Sequence, residues 1–117
     1  MRIIKMSREL NKREIYKLTK GDDTVSFKTL SDGAILYPTD FLVYEDDNKK
    51  RGLIEVLAVI GKNAKCEEEI WSGQSKTFRD RFLDIWDDFS DDPEPFGIIK
   101  KSGITKNGDE YVTCTLA

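Results

Sequence analysis

The sequence contains no histidine and only two cysteines, and both shortages exclude kinds of site. Cys66 and Cys114 lie far apart without a CxxC spacing, so the chain can assemble neither a zinc site nor a Cys-His nucleophile. Histidine is also the commonest general base at neutral pH. We therefore expect no enzyme, no metal and no cofactor, and thiols that only fill space in a reducing compartment.

Long apolar runs and phosphate-binding motifs are absent as well. The longest apolar run, Val56 to Ile60, is far shorter than the roughly 20 residues that a membrane-spanning helix needs. The N-terminus lacks the apolar stretch of a signal peptide, and no GxxxxGK, GxGxxG or GxSxG occurs. We expect one cytoplasmic domain over residues 1–117, without a membrane partner.

Charge is distributed unevenly along a chain whose net charge is −3. Residues 1–21 predict a basic arm and a short helix, because Asn11 and Glu14 have capping-box spacing and Gly21 is placed to end the helix. Residues 84–94 are acidic and contain no basic residue. We interpret this acidic cluster as a solvated helix face, with weak cation binding as the alternative.

Periodicity predicts a mainly β domain. Alternating β-branched and aromatic residues indicate strands at 24–29, 34–37, 41–45, 53–60 and 66–71. Pro38 is expected to interrupt strand pairing. The run at 53–60 is almost entirely apolar, which is typical of a central strand that is buried on both faces.

One helix and a hairpin complete the predicted domain. Residues 76–89, with Ser75 or Thr77 as cap, place five large apolar side chains on one helix face. These are Phe78, Phe82, Ile85, Trp86 and Phe89. Trp71 lies outside this stripe and is expected to be more exposed. Asn107-Gly108 predicts a type I′ turn between strands 96–101 and 110–116. The order of elements fits an OB-like, five-stranded Greek-key barrel with its helix between strands 3 and 4.

Aromatic residues interleaved with lysine and arginine form the remaining candidate site. This combination suits single-stranded nucleic acid, because each base offers a face for stacking and each linkage carries a phosphate charge. The alternative is that the aromatic residues belong to the core and the lysines only increase solubility.

Three stretches resemble small single-stranded DNA-binding proteins of bacteriophages that infect Gram-positive bacteria. They run from Met6 to Thr19, from Ser75 to Ile85 and from Lys101 to Val112. The resemblance implies that the protein coats displaced single strands, without sequence preference, during phage DNA replication in the host cytoplasm. It also implies a basic residue after Gly108, where this chain has Asp109-Glu110.

We therefore predict a non-catalytic single-stranded DNA-binding protein whose binding groove points away from the acidic cluster. The predicted contact residues are Tyr37, Tyr44, Arg51, Lys62, Trp71, Lys100, Lys101 and Lys106. Replication proteins are further candidate partners, and the oligomeric state stays open, with a homodimer among the alternatives. The second interpretation is a small acidic phage protein that binds and inhibits a host protein.

Overall fold

The computed structural model describes residues 1–48, 50 and 52–117. Within these residues the chain forms seven strands and two helices. The strands are β1 (Arg2–Met6), β2 (Thr24–Ser26), β3 (Ile35–Asn48), β4 (Gly52–Lys62), β5 (Glu68–Gly73), β6 (Ile98–Ile104) and β7 (Glu110–Leu116). The helices are α1 (Lys12–Lys20), which follows β1, and α2 (Lys76–Phe89), which follows β5.

The strands form one curled sheet with the shape of a half-barrel. Their order in the sheet is β2-β5-β4-β3-β6-β7, and β1 pairs with β3 off this path. The β2–β5 pair is parallel and the other pairs are antiparallel, so the sheet is mixed. The beginning of β3 pairs with β6 and its later part with β1, so this one strand joins the β6–β7 hairpin to the rest of the sheet.

The structure has seven strands, whereas the predicted barrel has five. The basic arm contributes β1, which was not predicted as a strand, and the predicted segments at 34–37 and 41–45 are parts of the single strand β3. Pro38 does not end the strand. It coincides instead with a bulge, a register shift between Pro38 and Asp40. Gly61 lies opposite Pro38 and makes room for it, because a Cβ at Gly61 would be 2.3 Å from the Tyr37 carbonyl oxygen.

Strand β4 is the central strand, as its apolar sequence predicted. It lies between β3 and β5, and its residues Val56 to Val59 are buried, whereas Leu53 is 72% exposed, so the predicted burial on both faces holds only for the later part of 53–60. Successive side chains of a strand point to opposite faces, so these four residues contribute to two separate apolar clusters. Leu57 and Val59 belong to the inner core on the α2 side, and Val56 and Ala58 to the outer cluster on the α1 side.

The inner core is packed around the aromatic stripe of α2, as predicted. Phe78 and Phe82 are fully buried, and the Phe78 ring stacks on Phe27 with centroids 3.8 Å apart. Trp86 is half-buried and meets Phe41 edge to face. Ser75 is the helix cap: its hydroxyl accepts from the Phe78 N–H and donates to the Val112 carbonyl oxygen at 2.8 Å. The cap therefore also ties α2 to β7.

The outer cluster is smaller and lies between the sheet and α1. Leu18 is the one buried residue of this helix, and Ile15 is half-buried beside it. The predicted capping box is confirmed, since the Glu14 N–H donates to the Asn11 side chain at 2.8 Å and the Asn11 N–H to the Glu14 carboxylate at 3.1 Å. Gly21 follows the helix end, where a Cβ would be 2.5 Å from the Lys17 carbonyl oxygen.

The C-terminal hairpin is confirmed, but its predicted type I′ turn is wrong. A type I′ turn needs positive φ at both central residues, whereas Gly108 alone has positive φ, +85°, in this loop. The Gly108 N–H donates to the Thr105 carbonyl oxygen, and the Thr105 N–H to that of Asp109. This pattern matches a turn over residues 105–108 that ends in a glycine bulge.

Candidate nucleic-acid interface

Two of the predicted stacking residues are buried. Trp71 is 1% exposed, so the prediction that it would be more exposed than the helix stripe is wrong. It pairs with Val59 of the central strand and therefore points into the inner core, where its indole N–H donates to Glu69. Tyr44 is 6% exposed in the outer cluster, and burial raises the pKa of its phenol. Neither ring offers a face to a base.

Lys100 is also buried, because its position opposite Cys114 directs it inward. Its ammonium donates to the Leu30 carbonyl oxygen at 2.7 Å, and to Asp32 Oδ1 and Ser102 Oγ at 2.9 Å each. The hydroxyl of Ser102 and the ammonium together lower the pKa of Asp32. An ammonium has three donors, all used here within the protein, so the structure does not support the predicted phosphate contact at Lys100.

Tyr37 lies beside carboxylates. Its ring, 38% exposed, lines a cleft of about 270 Å³ together with Phe96, Asp92 and Glu94. The carboxylates of residues 84–94 are all exposed, as expected of a solvated face. Within the described part of the chain, no three acidic or cysteine side chains are placed to hold a metal ion. Because phosphate is repelled by carboxylates, Tyr37 is poorly placed to stack bases of a DNA strand.

Three further predicted contacts, Lys62, Lys101 and Lys106, are exposed but dispersed. Lys101 lies on β6 and Lys106 in the following loop, whereas Lys62 ends β4, with β3 between these strands. Arg51 lies outside the described residues. The structure therefore does not bring the predicted contact residues together on one face.

Helix α1 carries exposed residues that the predicted set did not include. Its outward arc presents Lys12, Arg13, Tyr16 and Lys20, all of them exposed. Tyr16 is 63% exposed, more than Tyr37 or Tyr111 at 38% and 39%. The sequence contained the signal, because helical spacing places these four residues opposite Ile15 and Leu18.

The remaining charged residues of α1 are engaged in ion pairs. Glu14 pairs with Arg8, which lowers the pKa of the carboxyl, and Arg8 also pairs with Asp40 at 3.2 Å. Lys17 pairs with Glu68 of β5. These contacts connect the first turn of the helix to Arg8 and its middle to β5.

No protein-family model, curated protein or solved structure matches this chain. In the part of the chain that the structure describes, neither helix has the length and apolar character needed to cross a membrane.

Proposed function

We propose that this protein binds single-stranded DNA without sequence preference and without catalysis, on an OB-like barrel, and that it acts in phage DNA replication. The proposal joins the order of the strands to the distribution of exposed cations. The resemblance in the three sequence stretches supplies the replication context.

The strand order is the observation that carries the proposal. When β1 and β2 are set aside as additions, the remaining strands are ordered β5-β4-β3-β6-β7, and α2 lies between the third and fourth of them along the chain. An OB fold is a partly open five-stranded Greek-key barrel that binds oligonucleotides on the face of its second and third strands. In this correspondence those two strands are β4 and β5.

Exposed cations lie on the same outer side of the sheet. Lys62 pairs with Glu68 across β4 and β5, two residues beyond the Ile60–Ile70 pair of the outer cluster, and so projects on the α1 side. The basic residues of α1 lie over the same strands. The exposed acidic cluster begins on the solvent side of α2 and continues after its end, and α2 packs on the opposite, inner face. A protein of net charge −3 can thus present a cationic side to phosphate.

A fluorescence-anisotropy titration with labelled oligo-dT at two salt concentrations tests the proposal. Each phosphate contact on a single strand contributes about −0.7 to the slope of log K against log salt. We expect binding that weakens clearly from low to physiological salt, and weaker binding to a duplex of equal length. Affinity that is independent of salt, or equal for the duplex, contradicts the proposal.

The acidic cleft favours a second candidate function, binding of a basic host protein. Tyr37, Phe89 and Phe96 line this cleft beside Asp92 and Glu94, so it offers apolar contact together with negative charge. Protein interfaces are enriched in aromatic anchors of this kind. If oligo-dT does not bind at micromolar protein, and Asp92→Asn with Glu94→Gln abolishes a biological effect of the protein, this second function replaces the first.

A further inference from the structure

We infer that the outward face of helix α1 is the surface on which single-stranded DNA lies, with Tyr16 stacking on a base and Lys12, Arg13 and Lys20 contacting phosphates. The inference rests on the proposed function and specifies where its ligand binds. None of these four residues belongs to the set predicted from the sequence.

The first support is the position of α1 on the sheet. Leu18 packs in the outer cluster with Ala58 of β4 and Ile70 of β5. The helix thereby covers the face of β4 and β5, the two strands that correspond to the oligonucleotide-binding strands of OB folds. A strand of DNA that approaches this side meets α1 before it can reach the sheet.

The second support is the geometry of the exposed arc. At 100° per residue, Lys12, Tyr16, Lys20 and Arg13 fall within an arc of about 100° centred opposite Leu18. Lys12, Tyr16 and Lys20 follow one another at intervals of four residues, which is about 6 Å along the axis. The aromatic ring therefore lies in line between two ammonium groups, as stacking with adjacent phosphate contacts requires.

The third support is the availability of these side chains. Within the described chain, Lys12, Arg13 and Lys20 form no ion pair, whereas Lys17 is paired with Glu68. Glu14, the one acidic residue of α1, is neutralised by Arg8. The carboxylates without an ion pair that are close in sequence lie outside the helix: Glu9 precedes it, and Asp22 and Asp23 follow its end. The arc is thus cationic, and its charge complements a polyanion.

The experiment compares two triple variants that remove the same charge. The first is K12Q/R13Q/K20Q on α1, and its control is K28Q/K65Q/K76Q, which changes exposed lysines outside α1 and outside the predicted contact set. We expect the α1 triple to weaken oligo-dT binding and to reduce the salt slope by about 2, since three contacts of about 0.7 are lost. The control is expected to retain most of the wild-type slope.

Tyr16→Ala tests the stacking contact separately. Base stacking contributes roughly 1–3 kcal/mol, so affinity should fall about 5- to 150-fold, whereas Tyr16→Phe should retain most of it. Because Tyr16 is 63% exposed, the alanine variant should melt at the wild-type temperature. Photocrosslinking of an oligo-dT that contains 5-iodouracil should label Tyr16 directly.

The outcomes separate the inference from the proposed function. If wild-type protein binds oligo-dT but the control triple loses binding and the α1 triple does not, the α1 surface is wrong and the function stands. Equal weakening by both triples attributes binding to net charge alone and also overturns the inference. If wild-type protein binds no single strand at all, the function itself fails, and the inference with it.

Discussion

The two helices of this protein are built for different tasks. Helix α2 buries Phe78, Phe82 and Ile85 in the inner core, and the carboxylates on its other side face solvent. Helix α1 buries only Leu18, and its solvent side is basic. One helix is thus a structural element of the half-barrel, and the other is a lightly anchored addition on its outer face. Binding residues are often placed on such additions, because a rigid scaffold positions them.

The largest effect that tests this comparison is expected from Phe82→Ala. Phe82 is fully buried and packs against Phe41 and Trp86, so its truncation should destabilise the protein by about 3–5 kcal/mol. Urea unfolding measures the change. Phe82→Leu, which keeps an apolar side chain of similar size, should cost less and preserves a folded protein for comparison. An unchanged unfolding midpoint for Phe82→Ala would show that α2 is not part of the core.

A smaller and more local effect is expected from Leu18→Ala. Leu18 is 3% exposed, but the outer cluster is small and the helix has only nine residues, so we expect about 2 kcal/mol, the low end for such changes. Hydrogen exchange should show faster exchange of the α1 amides and little change in β3 and β4. Uniform acceleration across the sheet would mean that α1 is as integral to the fold as α2.

The reactivity of the Cys114 thiol distinguishes unfolding of the inner core in Phe82→Ala from local unfolding of α1 in Leu18→Ala. The thiol lies in the inner core, with its sulfur 3.8 Å from the backbone carbonyl oxygen of Phe78. Burial raises the pKa of the thiol to about 12. Labelling by a thiol reagent should therefore be much faster in Phe82→Ala than in Leu18→Ala. Cys66 is exposed and serves as the internal reference, since it should react at the same rate in both variants.

The sequence was sufficient for elements whose signals are local. The capping box of α1, the stripe of α2 and the buried run of β4 all depend on neighbours within a few positions. It was insufficient where the partner is distant in sequence. The sequence predicts Lys100 to be exposed, but in the folded chain Leu30 and Asp32, some 70 residues away in sequence, accept its hydrogen bonds. Trp71 is likewise predicted to be exposed, but its pairing with β4 directs the side chain into the core.

The same distinction between near and distant sequence neighbours determined which residues of the candidate site could be predicted. Tyr37 is exposed, as its predicted role as a DNA contact requires, but only the folded structure shows that Asp92 and Glu94 lie beside it. Tyr16 was within reach of helical periodicity, since Ile15 and Leu18 define the buried side of α1. The predicted contact set does not include Tyr16, because the aromatic residues of that set all belong to predicted strands and loops.

The smallest expected effect is on the pH dependence of stability, which compares a carboxylate that holds the sheet with one that holds α1. Asp32 holds the loop before β3 to Lys100 and Ser102, and Glu14 holds α1 through Arg8; both carboxyls have pKa values below their ordinary 3.8 and 4.5. A lowered folded-state pKa contributes stability that is complete above the unfolded-state pKa and is lost as pH falls through the folded-state value. Both contributions should therefore be present at pH 7 and disappear on acidification below about pH 4. The urea midpoints measured at pH 7 and at pH 3 should lie closer together in Asp32→Asn than in Asp91→Asn, the control at an exposed carboxylate.

Glu14→Gln should instead accelerate hydrogen exchange of the α1 amides at pH 7 with little shift of the urea midpoint, because the helix opens locally. If Glu14→Gln moved the midpoint as much as Asp32→Asn does, α1 and the sheet would unfold as one unit, and the contrast between the two helices would not hold.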